Sequence, residues 1–544
     1  VNFLCGGEDI SSLVVDLGFY SCKIGHNQED TPRIFLNSIC GEREMNDEYE
    51  NYMDGSLKNI NYKELKYPLN LYNRNEHIRI KPLFYKDDNK DDIKLNADVF
   101  EKILEYSIEG IEIPKVFECS DDIIMDPIKL GGLNLNFEEH PILLTEFNMH
   151  NHKIREQMTE ILFEKYNIPA LYFAKKAKLT SFSLGRSTSL VIDIGYNSLD
   201  INPVYEGYVL QKNSLEYNIG GQYFDKLIYE QLIKDNVNII PYFVYCNGYD
   251  NMHTCFNDNI NGSIHNNNHN NIGDNNNIGD NNNIGDNNNI GDNNNIGDNN
   301  NIGDNNNIGY NNHHGNSNTY QENSIEKTLN PFYNIHHSYK EECILDVIRY
   351  MKESVCRTRI INDDSKWEEK KYSIQNITNL NEQNNIHISN ENNIKDGCTK
   401  EEFFELPDGY KINIHKYKYD IAEHLFHSIP SLNNFKGLPQ SIINCIISTD
   451  VDIRKELLQS IVITGGSSLF PGLIERLHNS LKEKECFTQS NKFKILNMTS
   501  LVEQKYSSWL GGSILASLGT FQQMWVSKKE YHESGHNIIL DRCF

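Results

Sequence analysis

The chain has 544 residues, more than one ordinary core accommodates, so two to four domains are expected. Its 51 Lys plus Arg against 76 Asp plus Glu leave a net charge of −25, which argues against a duplex-binding surface built on phosphate neutralisation. The twelve cysteines are scattered, without a Cys-x-x-Cys pair or a Cys/His cluster at zinc spacing, and no apolar run approaches the ~18 residues of a membrane span. With Val1–Ile10 lacking the basic start and apolar stretch of a secretory signal, a soluble intracellular chain with reduced thiols is expected.

From the N-terminus, Ser12-Leu-Val-Val-Asp16 reads as a buried strand ending in Asp-x-Gly. The stretches Cys40–Tyr62 and Phe84–Lys94 are acidic and offer little apolar surface. His152–Tyr166 reads as an amphipathic helix with Ile154, Met158, Ile161 and Leu162 on one stripe. Ser189-Leu-Val-Ile-Asp193 is a second buried strand ending in Asp-x-Gly, and Gln222–Lys234 a helix with Phe224, Leu227, Ile228 and Leu232 inward. From Ile272 to Asn307 the hexapeptide Ile-Gly-Asp-Asn-Asn-Asn is written six times. A six-residue period could specify a β-helix, but one Ile per unit cannot offset the entropy of ordering the rest. Residues 247–337 are therefore expected to be a disordered insertion, and 368–400 a shorter polar one. A helix is expected over Cys343–Cys356, then a strand, Ile461–Thr464, ending in Gly465-Gly466, and a helix from Gly472 that buries Leu473, Leu477 and Leu481. Strands alternating with helices in two halves indicate an α/β architecture with a cleft between the halves.

The chemistry gathers at a repeated turn. Asp16-Leu17-Gly18 leads into Ser21-Cys-Lys23-Ile-Gly25, and Asp193-Ile194-Gly195 into a strand expected over Asn202–Tyr208. A glycine there lets backbone N–H groups reach phosphate oxygens, an Asp can hold magnesium through water, and Lys23 adds a point charge. One Asp-x-Gly is more often a plain hairpin signal. Two copies, with the strand, Gly465-Gly466-Ser467 and a helix N-terminus as a third motif, favour a phosphate site.

That third motif, Ile461-Val-Ile-Thr-Gly-Gly-Ser-Ser-Leu-Phe-Pro-Gly472, together with Trp509-Leu-Gly-Gly-Ser-Ile-Leu-Ala-Ser-Leu-Gly-Thr-Phe-Gln-Gln-Met-Trp525, resembles the actin family. The resemblance implies an actin-like ATPase fold of two lobes, each built on a ribonuclease-H-like mixed sheet, with ATP or ADP and magnesium between them. The first lobe would be 1–188 with an outer subdomain at about 36–95. The second would be 189–544, with 500–544 returning to the first. Asp16 and Asp193 would hold magnesium through water, and Gly18, Lys23 and Gly195 would contact phosphates. Gly221 and Gly466 would lie beside ribose and adenosine, with Gly465, Ser467 and Phe470 also nucleotide-binding, Arg349, Lys352 and Glu353 on the base and ribose side and Lys505 over the purine. Taken alone, an Arg-x-x-Lys-Glu helix face is more often a solvated surface.

Three positions depart from the family's hydrolytic pattern: Phe19 stands for a phosphate-binding serine, and Glu160 and Asp200 for the residues that arrange the attacking water. Phe19 either crowds the phosphates or packs into the neighbouring core. Hydrolysis is accordingly expected to be weak or absent. Asn167-Ile-Pro-Ala170, Gly185-Arg-Ser-Thr188 and Gly6-Gly-Glu-Asp-Ile10 resemble the nuclear class-four members of the family, while the tail from Glu533 to Phe544 is more like conventional actin. The class resemblance implies a nuclear adaptor in chromatin remodelling or histone acetyltransferase complexes. Its partners would be a long helix of a remodelling ATPase, laid across the groove between the outer subdomains, an actin monomer, other complex subunits and histones, with no direct nucleic acid or membrane contact. A filament-forming cytoplasmic ATPase is the alternative; a sugar kinase of the same superfold is more distant.

Overall fold

The computed structural model describes residues 11–50, 57–87, 90–113, 128–147, 151–246, 331–359, 402–430, 432, 434–484, 492–496, 498 and 500–543. The repeats at 272–307, the polar stretch 368–400 and the motif at 6–10 lie outside the described residues. Residues 1–248 with 334–544 form one compact unit and 249–333 a second; of the latter, 331–333 are described, as a turn.

Two mixed sheets carry the larger unit. In the first, Leu13–Leu17 lies between Ser21–His26, its antiparallel hairpin partner, and Ile142–Glu146, which runs parallel to it. Ile34–Asn37 extends the hairpin side, and Ala170–Lys175 and Val526–Ser527 the other. In the second, Ser189–Ile194 lies between Leu199–Tyr205, antiparallel, and Ile461–Thr464, parallel. Asp16 and Asp193 thus occupy equivalent ends of equivalent central strands. All five residues of Leu13–Leu17 are buried, as expected of a strand covered on both faces. Each sheet has its own apolar core: Leu13, Val15, Leu143 and Leu171 in one, Leu190, Ile192, Ile461 and Ile463 in the other. The α/β class and the actin-like plan expected from sequence are present. The strand after the second turn is Leu199–Tyr205 rather than Asn202–Tyr208, because Gly195 N–H donates to Ser198 O at 2.9 Å and closes the turn at once.

The C-terminal segment packs on the first sheet. Helix Leu501–Ser517 crosses helix Lys176–Ser183 at Gly511, so closely that a Cβ there would lie 1.8 Å from Leu179 O. Beside it, Trp509 is fully buried, and its Nε1–H donates to Val14 O at 3.0 Å.

The helix expected over Cys343–Cys356 runs from His337 to Val355, capped by the His336 ring, which accepts from Ser338 N–H. Residues 334–337 therefore belong to the folded part rather than to the insertion. The outer elements of the first half meet this helix at its N-terminal end. Asn75 Nδ2 donates to Tyr339 Oη at 2.7 Å, Tyr339 Oη donates to Asn73 O at 2.6 Å, and Ile80 N–H donates to Ser338 Oγ at 3.0 Å. These polar contacts hold segment 70–80 against the first turn of the helix.

Candidate functional site

The two Asp-x-Gly turns face one another across a cavity of about 380 Å³, a size suited to a small-molecule ligand. Each turn is closed the same way: Gly18 N–H donates to Ser21 O at 3.1 Å, and Gly195 N–H to Ser198 O at 2.9 Å. Gly465 has φ +94°, and a Cβ there would fall 2.4 Å from Asp193 Oδ1, so only glycine lets the third strand leave beside the second turn. Ser467 Oγ–H donates to Gly195 O at 3.1 Å and ties these two loops together. A Cβ on Gly466 would meet nothing within 4 Å, so the backbone is bare toward the cavity.

Asp16, Gly18, Phe19, Lys23, Asp193, Gly195, Asp200, Gly221, Arg349, Lys352, Glu353, Gly465, Gly466, Ser467, Phe470 and Lys505 all line this cavity. Glu160 does not. Its helix, His152–Glu160, buries Ile154, Arg155, Met158 and Thr159, and two residues past Met158 the helix has turned by about 200°. Glu160 is consequently exposed, with its carboxylate within 4.8 Å of ligand atoms of Glu156 and His536. The side chain that enters the cleft instead is Lys176, the first residue of helix Lys176–Ser183, just past strand Ala170–Lys175. Sequence reasoning missed it. The signal was there: Lys175-Lys176 follows an apolar run that reads as a buried strand, and two cations at its end require anionic partners.

Lys176 finds its partner in Asp16. The Asp16 carboxylate, 1% exposed, is contacted by Lys176 Nζ at 3.1 Å and Thr145 Oγ1 at 2.5 Å on Oδ1, and by Lys23 Nζ at 3.1 Å and Ser508 Oγ at 2.9 Å on Oδ2. Burial alone would push its pKa up; Lys176, Lys23 and the Thr145 hydroxyl outweigh that and hold the carboxyl far below the usual range. Asp193 moves the other way, raised by burial and by the nearby Asp16 charge against the pull of Lys176 and Lys23.

Asp200 pairs with Asp193 across the second hairpin. Removal from water, then Glu216 and Asp193, push its pKa well up, opposed by the Ser198 hydroxyl. A raised folded-state pKa means the folded chain holds the proton more tightly, so this group's contribution falls as pH climbs from about 4 through the folded value. Asp200→Asn is expected to raise the melting temperature, by more at about pH 7 than at about pH 5. A pH-independent gain, or a loss, in thermal melts would show that the ionised carboxylate is needed where it stands.

Aromatic rings and Arg349 shape the mouth. The Arg349 guanidinium lies 4.5 Å from the Tyr20 ring centroid and 5.5 Å from that of Tyr196, which pack on each other at 5.2 Å. Arg349 and Lys352 are also held by Asp225 of helix Gly221–Lys234, at 3.6 and 2.6 Å. This fully buried carboxylate was not anticipated from sequence. Lys505 Nζ sits 4.7 Å over the Phe35 ring. Phe19 lines the cavity and also packs on Phe84 at 5.5 Å and Phe147 at 5.2 Å, which joins the two alternatives left open by its sequence position.

The cavity suits a nucleoside triphosphate: bare glycine backbone from both sheets, Lys23 and Lys176 both at Asp16 of the first turn, and apolar and cationic side chains from Phe470 and Lys505 further out. A water-bridged divalent ion suits Asp16 poorly. A carboxylate offers about four lone-pair sites, and Asp16 already has four partners.

A family model described as Actin matches residues 7–276 and 310–544. The chain belongs to the actin family. It is 28% identical over 552 residues to actin-related protein 4 of Oryza sativa subsp. indica, with 99% of both chains covered. Against actin-related protein 4 of Arabidopsis thaliana the identity is 27% over 559 residues, again with 99% of each covered. Actin-related protein 4 of Yarrowia lipolytica is 23% identical over 553 residues, covering 99% of this chain and 96% of the relative. Actin-family proteins typically bind a nucleotide with magnesium, and the equivalent Asp-x-Gly turns of the two sheets are where such a ligand would sit.

Proposed function

We propose that this actin-family chain is a nucleotide-binding structural subunit of a nuclear chromatin remodelling or histone acetyltransferase complex. The observation that carries the reading is the end-to-end similarity to proteins named actin-related protein 4 in plants and fungi. ATP or ADP would act as a clamp between the two sheets, with hydrolysis weak or absent. Supporting this, the phosphate end holds Phe19 packed among aromatic rings and Lys176 paired with Asp16, whereas Glu160 is exposed away from the cavity. The partners would be a helix of a remodelling ATPase and an actin monomer, joined by other subunits and histones, with no direct nucleic acid contact. The partner helix would use exposed apolar side chains at the end of the long C-terminal helix, Ile514 and Leu518 one turn apart, with Met524 beyond them. A basic polar face on that helix would complement the chain's net charge of −25.

Purification of the tagged full-length chain tests this. A remodelling ATPase and actin are expected at near-stoichiometric yield from a nuclear fraction, with the free chain staying in the supernatant on sedimentation with ATP. A cytoplasmic chain that pellets as polymer and releases phosphate would favour the filament-forming ATPase instead.

A further inference from the structure

We propose that the ammonium of Lys176 stands in for a divalent cation in this cleft, so that the chain binds a nucleoside triphosphate without magnesium. The inference rests on the nucleotide-site reading above and concerns how that site neutralises its ligand.

Lys176 is fixed rather than swinging. Its Nζ donates to Leu17 O at 2.7 Å, contacts Asp16 Oδ1 at 3.1 Å, and lies 4.9 Å from the centroid of the Phe147 ring, with the side chain 12% exposed. An ammonium has three N–H donors, and two are thereby assigned. The third remains for a ligand in the cavity that Lys176 lines. Lys23 donates to Asp16 at 3.1 Å and keeps its other N–H groups.

Magnesium at this place would meet two obstacles. It demands oxygen ligands in near-octahedral array and retains several waters, each of which must donate to something. The Asp16 oxygens are already taken by two lysines and two hydroxyls. A doubly charged ion in the same space would also be repelled by an ammonium pinned to Asp16 at 3.1 Å. Without Lys176, three carboxylates (Asp16, Asp193 and Asp200) would face the phosphates with Lys23 as the sole cation among the turn residues, an arrangement that requires an added divalent ion. With Lys176 present, two fixed cations oppose those three carboxylates; further out, Lys505 and Glu353 line the same cavity, as do Arg349 and Lys352, which are paired with Asp225. Lys176 thus places a fixed positive charge beside Asp16, where an added divalent ion would otherwise be required.

The experiment is calorimetric titration of nucleotide-free full-length protein with ATP, once in magnesium and once in excess EDTA. The wild-type Kd is expected to differ by less than about threefold between the two, and Lys176→Gln to weaken about tenfold or more in EDTA with recovery in magnesium. Lys176→Arg, which keeps the charge, is expected to stay EDTA-tolerant. Should Lys176→Gln not fold, the wild-type pair of titrations still decides. A wild-type affinity that collapses in EDTA overturns the inference while leaving the nucleotide site standing. Absence of binding in both buffers overturns the nucleotide site itself, and the inference with it.

Discussion

Gly511→Ala is expected to destabilise the fold by about 3 kcal/mol or more, although alanine is the better helix former by about 1 kcal/mol. The two effects oppose each other, and geometry decides between them. A Cβ at this position would lie 1.8 Å from Leu179 O, 2.4 Å from its carbonyl carbon and 2.9 Å from its Cα. All three are backbone atoms of helix Lys176–Ser183, so no rotamer change relieves the clash and the helices must move apart. Separation would lift Trp509 off Val14 O and loosen Ser513 Oγ from Glu29 O, to which it donates at 2.8 Å. It would also shift the helix that begins with Lys176. Urea unfolding measures the loss, and Gly519→Ala serves as control, because a Cβ there meets nothing within 4 Å. A Gly511→Ala midpoint within error of wild type would mean that the two helices separate freely, and the close crossing would carry no stabilising weight.

What the sequence made legible was whatever is local. Leu13–Leu17, Ser189–Ile194 and Ile461–Thr464 are short apolar runs ending in glycine-bearing turns, and each is a central strand. The repeated Asp-x-Gly marked where the chain approaches a ligand from both sheets, since the same turn recurs with the same hydrogen bond. Glu160 was misjudged by family matching although local periodicity held the correction: Ile154 and Met158 define the buried stripe, and Glu160 falls off it. The His337 start of the long helix was hidden by the polar composition before it, and its cap is a histidine side chain, an unusual N-cap.

Charge pairing was the least legible layer because it depends on distant segments meeting. Asp16, Thr145, Lys176 and Ser508 come from four elements spread over most of the chain, yet all four converge within hydrogen-bonding reach. Arg349 and Lys352 resemble a solvated face in sequence, but Asp225, from another helix, lies beneath them. A buried cation in a sequence announces that an anion must exist, without saying where.

Asp16→Ala is expected to destabilise the free protein by about 3–5 kcal/mol, the scale for removing one partner from a buried ion pair. Two ammoniums, Lys23 and Lys176, 11% and 12% exposed, would be left facing each other without the carboxylate between them. Thr145 and Ser508 would lose their acceptor as well. The acid limb of stability should change with it. Because the folded-state pKa of Asp16 is depressed, its contribution is fully present above about pH 4 and is lost as pH falls below that, so the variant should show a shallower acid decline than wild type. Adding Lys176→Met to Asp16→Ala should recover part of the loss, since one of the stranded charges is then gone. ATP should stabilise wild type by about 2.7 kcal/mol at a hundredfold excess over its Kd. In Asp16→Ala that increment should shrink even though net positive charge in the cleft has risen, because Lys176 and Lys23 are no longer held where the phosphates meet the two turns. Chemical denaturation with and without ATP separates the two possibilities. An ATP increment that grows in the variant would mean that the cleft binds nucleotide by bulk charge alone, and that the position of Lys176 beside Asp16 contributes nothing to recognition.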